Sequence, residues 1–263
     1  MTDPKWWDMT LKKGTFEVSN LMEVLDRECD RYVIGEEVGE GGYEHYQVRA
    51  VFKVPKAMST IHNLLKEASE SLEGWITPTS QNGRNFNYCE KEGKFIRSWE
   101  KALRKFASLE LNTWQSQLQL IWEHQNERQC DVLYNESGNI GKTYFAKYMQ
   151  ATHQAQYVPP MGDAQDLMAF ALEKPSKAYI FDMPRCESVK QKKGMWSAVE
   201  QIKNGYLYDK RYKFRDAWIE PPRVLVMCNE LPDMDSLSAD RWRIYTVQQW
   251  GEESLLMPYE VTE

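Results

Sequence analysis

Val132-Leu133-Tyr134-Asn135-Glu136-Ser137-Gly138-Asn139-Ile140-Gly141-Lys142-Thr143 decides the architecture of the C-terminal half. The first three residues read as a buried strand, and Lys142 to Gln150 reads as a helix. A glycine-bearing loop that leaves a strand and enters a helix is the setting of a phosphate-binding loop. Gly138, Asn139 and Gly141 form the turn, and Gly141 lets the backbone approach phosphates closely. Lys142 is placed to reach β- and γ-phosphates and Thr143 to hold Mg²⁺. The strict pattern has glycine where Glu136 stands, so the match is imperfect.

Downstream, Ala178-Tyr179-Ile180-Phe181-Asp182 is a buried strand ending in an acid, suited to hold Mg²⁺ through water. Val224-Leu225-Val226-Met227-Cys228-Asn229 is another, ending in an amide. Strands separated by helices predict a covered, largely parallel α/β sheet over residues 128–263. Lys203 and Lys210-Arg211-Tyr212-Lys213 lie between these two strands. Basic and aromatic residues together suit single-strand nucleic-acid contacts, although a solvated basic loop looks the same. The tail after Trp250 reads as short, acidic and loose.

Upstream, residues 98–127 contain no Pro or Gly, and Trp99, Leu103, Phe106, Trp114, Leu118, Ile121 and Trp122 recur at roughly helical spacing. They predict one or two amphipathic helices, serving either oligomerisation or domain packing. Residues 1–97 alternate strand and helix signals. Trp6 to Leu11, Tyr32 to Ile34, Glu44 to Val54 and Gly74 to Ile76 read as strands. Asn20 with Glu23 three residues on predicts a capped helix, and Ser59 a cap for a second helix through Leu65. Asn85 to Glu92 reads as a third helix, stopped at Gly93.

His45 and Gln47 are two apart on a predicted strand, so both project to the face opposite Tyr46 and Val48. Glu37, from the preceding strand, can join them; Glu36 is the alternative, since spacing alone does not separate neighbours. One imidazole, one amide oxygen and one carboxylate form a sparse, mostly hard ligand set suited to Mg²⁺ or Mn²⁺. Tyr88 and Lys91, spaced i, i+3 in Asn87-Tyr88-Cys89-Glu90-Lys91-Glu92-Gly93, share a helix face. A free phenol with a pKa near ~10 is a poor nucleophile at neutral pH. A neighbouring cation such as Lys91 would position it or help it ionise. Attack on a backbone phosphate would leave the strand covalently attached and release a 3′-hydroxyl.

The net charge of −6 argues mildly against nucleic-acid binding, and neither the part up to Lys105 nor the part after it is net basic. Contacts to phosphates must therefore come from local clusters. The five cysteines are scattered, odd in number and include no CxxC pair. They predict reduced thiols, an intracellular site and no zinc. The sequence has no long apolar run for a membrane span, and Met1–Trp7, with no apolar stretch behind a basic head, is not expected to be a secretory signal.

Thr10-Leu11, Glu37…His45-Tyr46-Gln47 and Tyr88-Cys89-Glu90-Lys91-Glu92-Gly93 resemble the three rolling-circle motifs of replication initiator (Rep) proteins. The family is that of small circular single-stranded DNA viruses: circoviruses, nanoviruses and especially smacovirus-like genomes. Many relatives carry His-hydrophobic-His; Gln47 takes the second position here. The loop at Gly138–Thr143 is similar to the nanovirus-like version, with Asn135 in place of an earlier glycine. The resemblance implies an α+β HUH-endonuclease domain (1–97), a helical linker or oligomerisation segment (98–127) and a superfamily 3 helicase domain (128–263). It implies metal on Glu37, His45 and Gln47, and a 5′-phosphate linked to Tyr88 beside Lys91. It also implies ATP at Lys142 and Thr143, a polar sensor at Asn229, and an arginine finger at Arg241 or Arg243. Lys203, Lys210 and Lys213 would lie on a DNA-tracking hairpin. Helicases of this superfamily usually have a second acid beside Asp182, where this chain has Met183. Expected partners are single-stranded origin DNA in a stem-loop, further copies in a ring (a hexamer by family analogy) and host replication proteins. No membrane is expected. The expected location is the host nucleus for a eukaryotic virus and otherwise the host cytoplasm. The rival readings are a P-loop ATPase with a non-catalytic nucleic-acid-binding front domain, and a non-enzymatic viral scaffold with relict motifs.

Overall fold

A computed structural model of the chain describes residues 4–185 and 193–260. Its contacts divide into two units, Met1–Arg104 and Lys105–Glu263.

The first unit runs β1 (Trp6–Lys12), α1 (Val18–Glu28), β2 (Cys29–Val38), β3 (Glu44–Phe52), α2 (Met58–Ala68), β4 (Gly74–Pro78), β5 (Phe95–Arg97) and α3 (Lys101–Arg104). Its strands form one sheet in the order β4-β1-β3-β2-β5, and every pairing is antiparallel. Alternation along each strand sorts the side chains into two faces. Trp7, Met9, Leu11, Ile34, Val48, Ala50 and Phe52 bury against Leu21, Val24 and Leu25 of α1 and Ile61, Leu65 and Ala68 of α2. The polar series on the same strands, Asp8 and Thr10 of β1, Glu37 of β2, and His45, Gln47 and Arg49 of β3, is thereby left for the opposite face.

Both predicted helix caps are displaced. Glu17 and Ala57 occupy the cap positions of α1 and α2, and neither side chain caps. Asn20 lies inside α1 and donates its amide to the Ala68 carbonyl instead, a tertiary bond that outweighs the local pattern. The expected helix over 85–92 is reduced to a 3-10 turn, Asn87–Glu90. The Asn85 side chain accepts from the Asn87 backbone N–H at 3.1 Å, a local turn bond that competes with helix. Gly93, at φ 77°, ends the segment as expected.

Residues 98–127 divide between the two units and form no body of their own. The turn Ser98–Glu100 and α3 fall in the first, and the longer helix in the second.

The second unit comprises α4 (Thr113–Glu123), β6 (Cys130–Tyr134), α5 (Lys142–Ala151), β7 (Gln156–Val158), α6 (Ala164–Glu173), β8 (Ala178–Asp182), α7 (Lys193–Lys203), β9 (Tyr206–Asp209), β10 (Arg215–Trp218), β11 (Arg223–Cys228), β12 (Trp242–Trp250) and β13 (Glu253–Pro258). The sheet order is β13-β12-β6-β11-β8-β7, parallel from β12 to β7, with β13 antiparallel at the edge. Both faces are covered, which explains the continuous apolar runs of β8 and β11. Tyr179, Phe181, Val224 and Val226 pack on α6 and α7 through Leu167, Met168, Trp196 and Val199. Ile180, Leu225 and Met227 pack on α4 and α5 through Trp114, Leu118, Trp122 and Phe145. The apolar stripe of α4 is thus consumed by its own core. The tail after Trp250, expected loose, folds as β13: Leu256 is buried, and its backbone N–H donates to Gln117 Oε1 at 2.9 Å.

An α+β antiparallel unit followed by an α/β unit is the expected fold class. Among the described residues no helix is long and apolar enough to cross a membrane.

Candidate active sites

In the first unit, Glu37 of β2 lies opposite His45 of β3, and Gly35 lies opposite Gln47, which in turn faces Thr10 of β1. Residues directly opposite in an antiparallel pair share a face, so the carboxylate, imidazole and amide converge. All three are buried. His45 Nδ1 stands 3.2 Å from the Tyr43 carbonyl oxygen, which only accepts, so Nδ1 carries the proton in that bond. When the ring is neutral, Nε2 presents its lone pair towards Glu37 Oε2 at 3.6 Å. Thr10 donates to Gln47 Oε1 at 2.9 Å, leaving that oxygen a second lone pair. Glu37 Oε1 is buried without a partner. An orphaned carboxylate oxygen beside an imidazole lone pair and an amide oxygen is an arrangement that a hard divalent cation satisfies. Glu36 points elsewhere and pairs with Lys13 at 2.8 Å, so Glu37 is the neighbour that meets His45. Among the described residues no three His, Cys, Asp or Glu side chains gather as a metal site; the set here is two such groups plus Gln47.

The turn bearing Tyr88 is fixed from three directions. The guanidinium of Arg49 is buried against Asp8, at 2.6 and 3.0 Å, and donates to the Gly83 and Asn85 carbonyls just ahead of the turn. Arg97 of β5 donates to both oxygens of Glu90 at 2.7 and 2.8 Å. Between them the Cys89 backbone lies on Gly35, where a Cβ would stand 1.8 Å from the Cys89 oxygen. Only a residue without a side chain lets the turn approach the sheet so closely. The Tyr88 ring remains 50% exposed. Lys91 Nζ lies 4.2 Å from the centre of that ring and 2.8 Å from Glu37 Oε2. Its hydrogen bond to Glu37 raises the Lys91 pKa, which keeps the ammonium charged. The Lys91 ammonium thus bridges the tyrosine and the carboxylate. The sequence offered Gly35, Asp8 and Arg49 without any local pattern to single them out.

In the second unit, the loop between β6 and α5 uses the left-handed region at Gly138 (φ 69°), Asn139 (φ 54°) and Gly141 (φ 94°), a tight glycine-bearing turn of the kind that can cradle an anion. Asn135 accepts from the Gly138 N–H at 3.0 Å and from the Ser137 hydroxyl at 2.9 Å. Its side chain thus shapes the bend at the start of the loop. From α4, Trp114 donates to the Ile140 carbonyl and Gln115 to the Gly141 carbonyl, at 3.1 and 3.2 Å. Lys142 Nζ donates to Asn229 Oδ1 and the Cys228 carbonyl, each at 2.7 Å, and burial lowers its pKa. Thr143 donates to Asp182 Oδ2 at 2.8 Å, and burial raises the Asp182 pKa. These side chains line a cavity of about 490 Å³ together with Tyr157, Met183 and Arg185. Arg185, which sequence reasoning missed, donates to the Glu136 and Ser137 carbonyls.

Two expectations fail here. Lys203 is 1% exposed. Its ammonium donates to Gln125 Oε1 and the Pro222 carbonyl at 2.8 and 3.0 Å, so it is a core strut with no surface for DNA. Arg241 is buried against Glu200 and Asn204, and Arg243 pairs with Asp131 at 2.6 Å. Both are tied within their own unit, at the β12 end that pairs with the start of β6, away from the loop that follows β6. Neither is presented as a finger towards a neighbour. Lys210 and Lys213 do lie exposed, in the loop between β9 and β10, with Tyr212 fully exposed between them. Cys29, Cys89, Cys130 and Cys228 are buried free thiols; Cys186 lies outside the described residues.

No protein-family model matches the chain. Individual proteins do. Para-Rep C6 of the subterranean clover stunt C6 alphasatellite is 32% identical over 139 residues, 51% of this chain and 47% of that protein. The master replication protein of banana bunchy top virus is 30% identical over 151 residues, 57% of this chain and 48% of its own. That of faba bean necrotic yellows virus is 28% identical over 158 residues, 60% and 50%. The chain is therefore homologous to nanovirus master replication proteins and alphasatellite Para-Reps over about half its length. It spans about half the length of the curated relatives it matches.

Proposed function

We propose that this chain is a rolling-circle replication initiator. Its first unit nicks and rejoins single-stranded origin DNA through Tyr88, and its second unwinds DNA at the expense of ATP. The observation that carries the reading is the Lys91 ammonium held between the half-exposed Tyr88 ring and the buried Glu37, on the face that also holds His45 and Gln47.

Glu37, His45 and Gln47 would hold Mg²⁺ or Mn²⁺, which when bound withdraws charge from the scissile phosphate. The remaining steps belong to the chain. Lys91, held against the Tyr88 ring, orients the phenol. The Tyr88 hydroxyl gives up its proton as its oxygen attacks phosphorus, the P–O3′ bond breaks, and the departing oxygen takes up a proton to become a free 3′-hydroxyl. The new phosphotyrosine ester retains the bond energy, so a later 3′-hydroxyl can displace Tyr88 without ATP.

In the second unit, Lys142 exchanges its bonds to Asn229 and Cys228 for nucleotide phosphates. Thr143 and Asp182, already hydrogen-bonded, would hold Mg²⁺. The β9–β10 hairpin offers Lys210, Tyr212 and Lys213 to a single strand. Assembly into a ring, host replication proteins as partners and a nuclear location in a plant host follow from the relatives and belong to this proposal.

The test is a denaturing gel of protein, Mn²⁺ and a labelled origin stem-loop oligonucleotide. We expect a covalent adduct that Tyr88→Phe abolishes. No adduct with the cognate sequence leaves the front unit as a binding module beside an ATPase, and an adduct that survives Tyr88→Phe moves the linkage to another residue.

A further inference from the structure

Trp75 is the least explained large side chain of the first unit. It sits in the edge strand β4 and is 70% exposed. An indole so placed adds little to folding, because it removes little apolar area from water. Its register is informative. Trp75 is opposite Thr10, Thr10 is opposite Gln47, and Gln47 is opposite Gly35. One row across four strands therefore places the indole, the Thr10–Gln47 hydrogen bond and the seat of the Cys89 backbone on one face. At about 4.8 Å per strand, Trp75 lies roughly 10 Å from Gln47 along the row.

Tyr43 links the indole to the same site from a second direction. Its ring stacks on His45, with centroids 5.3 Å apart and planes at 22°, and meets Trp75 edge-on at 6.3 Å. Lys12, opposite His45 in register, adds to this border a partly exposed ammonium that is paired with Glu73 at 2.9 Å. The neighbours of Trp75 on the face are thus Thr10, Gln47, Tyr43 and charged groups rather than an apolar groove. A hydrophobic peptide finds little to bury there. A chain with polar links and flat side groups matches a lone ring set in a polar rim.

We propose that Trp75, braced by Tyr43, stacks one unpaired base of the strand that Tyr88 nicks. The inference rests on the function proposed above and adds a base-binding subsite to it.

The experiment uses the full chain and fluorescence anisotropy with a labelled stem-loop oligonucleotide from the cognate replicon, scanned with single abasic positions. Trp75→Ala is expected to weaken binding about 5- to 150-fold, and Trp75→Tyr to stay within about 3-fold of wild type. The salt dependence stays the same, since no phosphate contact is removed. One abasic position weakens the wild type but not Trp75→Ala; only stacking at that nucleotide moves this readout. Equal binding by Trp75→Ala, equal weakness of Trp75→Tyr and Trp75→Ala, or identical abasic penalties in wild type and Trp75→Ala would overturn the subsite while leaving the nicking proposal standing. A wild type that binds no oligonucleotide, with or without Mn²⁺, overturns both.

Discussion

The ammonium of Lys91 lies 2.8 Å from Glu37 Oε2. A lysine therefore already neutralises the carboxylate that the proposed metal would use, and the two cations compete for one oxygen. Lys91→Met is expected to tighten Mn²⁺ binding about 3- to 10-fold, the scale of a partly exposed ion pair. The same change is expected to slow adduct formation about 10²-fold, because the phenol loses its cation. Calorimetric Mn²⁺ titration and single-turnover gels read the two effects. Weaker Mn²⁺ binding in the variant would contradict the competition.

Gly35 sets how close the nucleophile comes to the sheet. In Gly35→Ala the new methyl meets the Cys89 carbonyl oxygen at 1.8 Å, a backbone atom that cannot swing aside. The turn must lift. A stability loss of about 1–3 kcal/mol is expected from overpacking, with adduct formation falling at least ~10-fold because reacting groups misaligned by an ångström lose rate steeply. Thermal melts and adduct gels check both. Unchanged adduct formation would show that the docked turn is not the reactive geometry.

These two residues also mark what the sequence could and could not disclose. His45 and Gln47 were legible because a period of two puts them on one face, and the strand–loop–helix around Gly141 because its phosphate chemistry is local. Glu37 separated from Glu36 only once cross-strand register was known. Gly35, Arg49 and Asp8 act through contacts with residues 34 to 54 positions away, which no local pattern encodes. Lys203 looked like a surface cation because its sequence neighbours are polar; its partners Gln125 and Pro222 are distant in sequence. The cap at Asn20 misled for the same reason: its amide bonds the Ala68 carbonyl 48 residues away. Nothing in the structure explains the displaced start near Ser59.

The Asn135 side chain shapes the start of the phosphate loop. Asn135→Ala leaves the Gly138 N–H and Ser137 hydroxyl without their acceptor. Nucleotide affinity is expected to fall about 3- to 10-fold, the worth of one or two neutral hydrogen bonds. Lys142→Ala is expected to abolish hydrolysis. Titration with a fluorescent ATP analogue checks the first and phosphate release the second. Tighter binding by Asn135→Ala would refute the shaping role.

Burial pushes the Lys203 pKa down to about 8 from 10.5. Between these values the unfolded chain keeps a proton that the folded unit has released, so stability rises with pH across that window, and below about 8 the full cost of burying the charge is present. Lys203→Met is expected to remove this rise, read by urea denaturation at the two ends of the window. Identical slopes in wild type and variant would contradict the buried strut. Lys203→Met is expected to leave DNA affinity unchanged. Lys210→Ala with Lys213→Ala should weaken it and lower the salt slope by about 1.4.

The central claim is that one phenolic oxygen becomes esterified to DNA. The direct measurement is mass spectrometry of the adduct after nuclease and protease digestion. The account predicts a nucleotide 5′-phosphate on Tyr88 and on no other residue. A phosphate ester on another tyrosine, or cleavage that leaves every tyrosine unmodified, would contradict it.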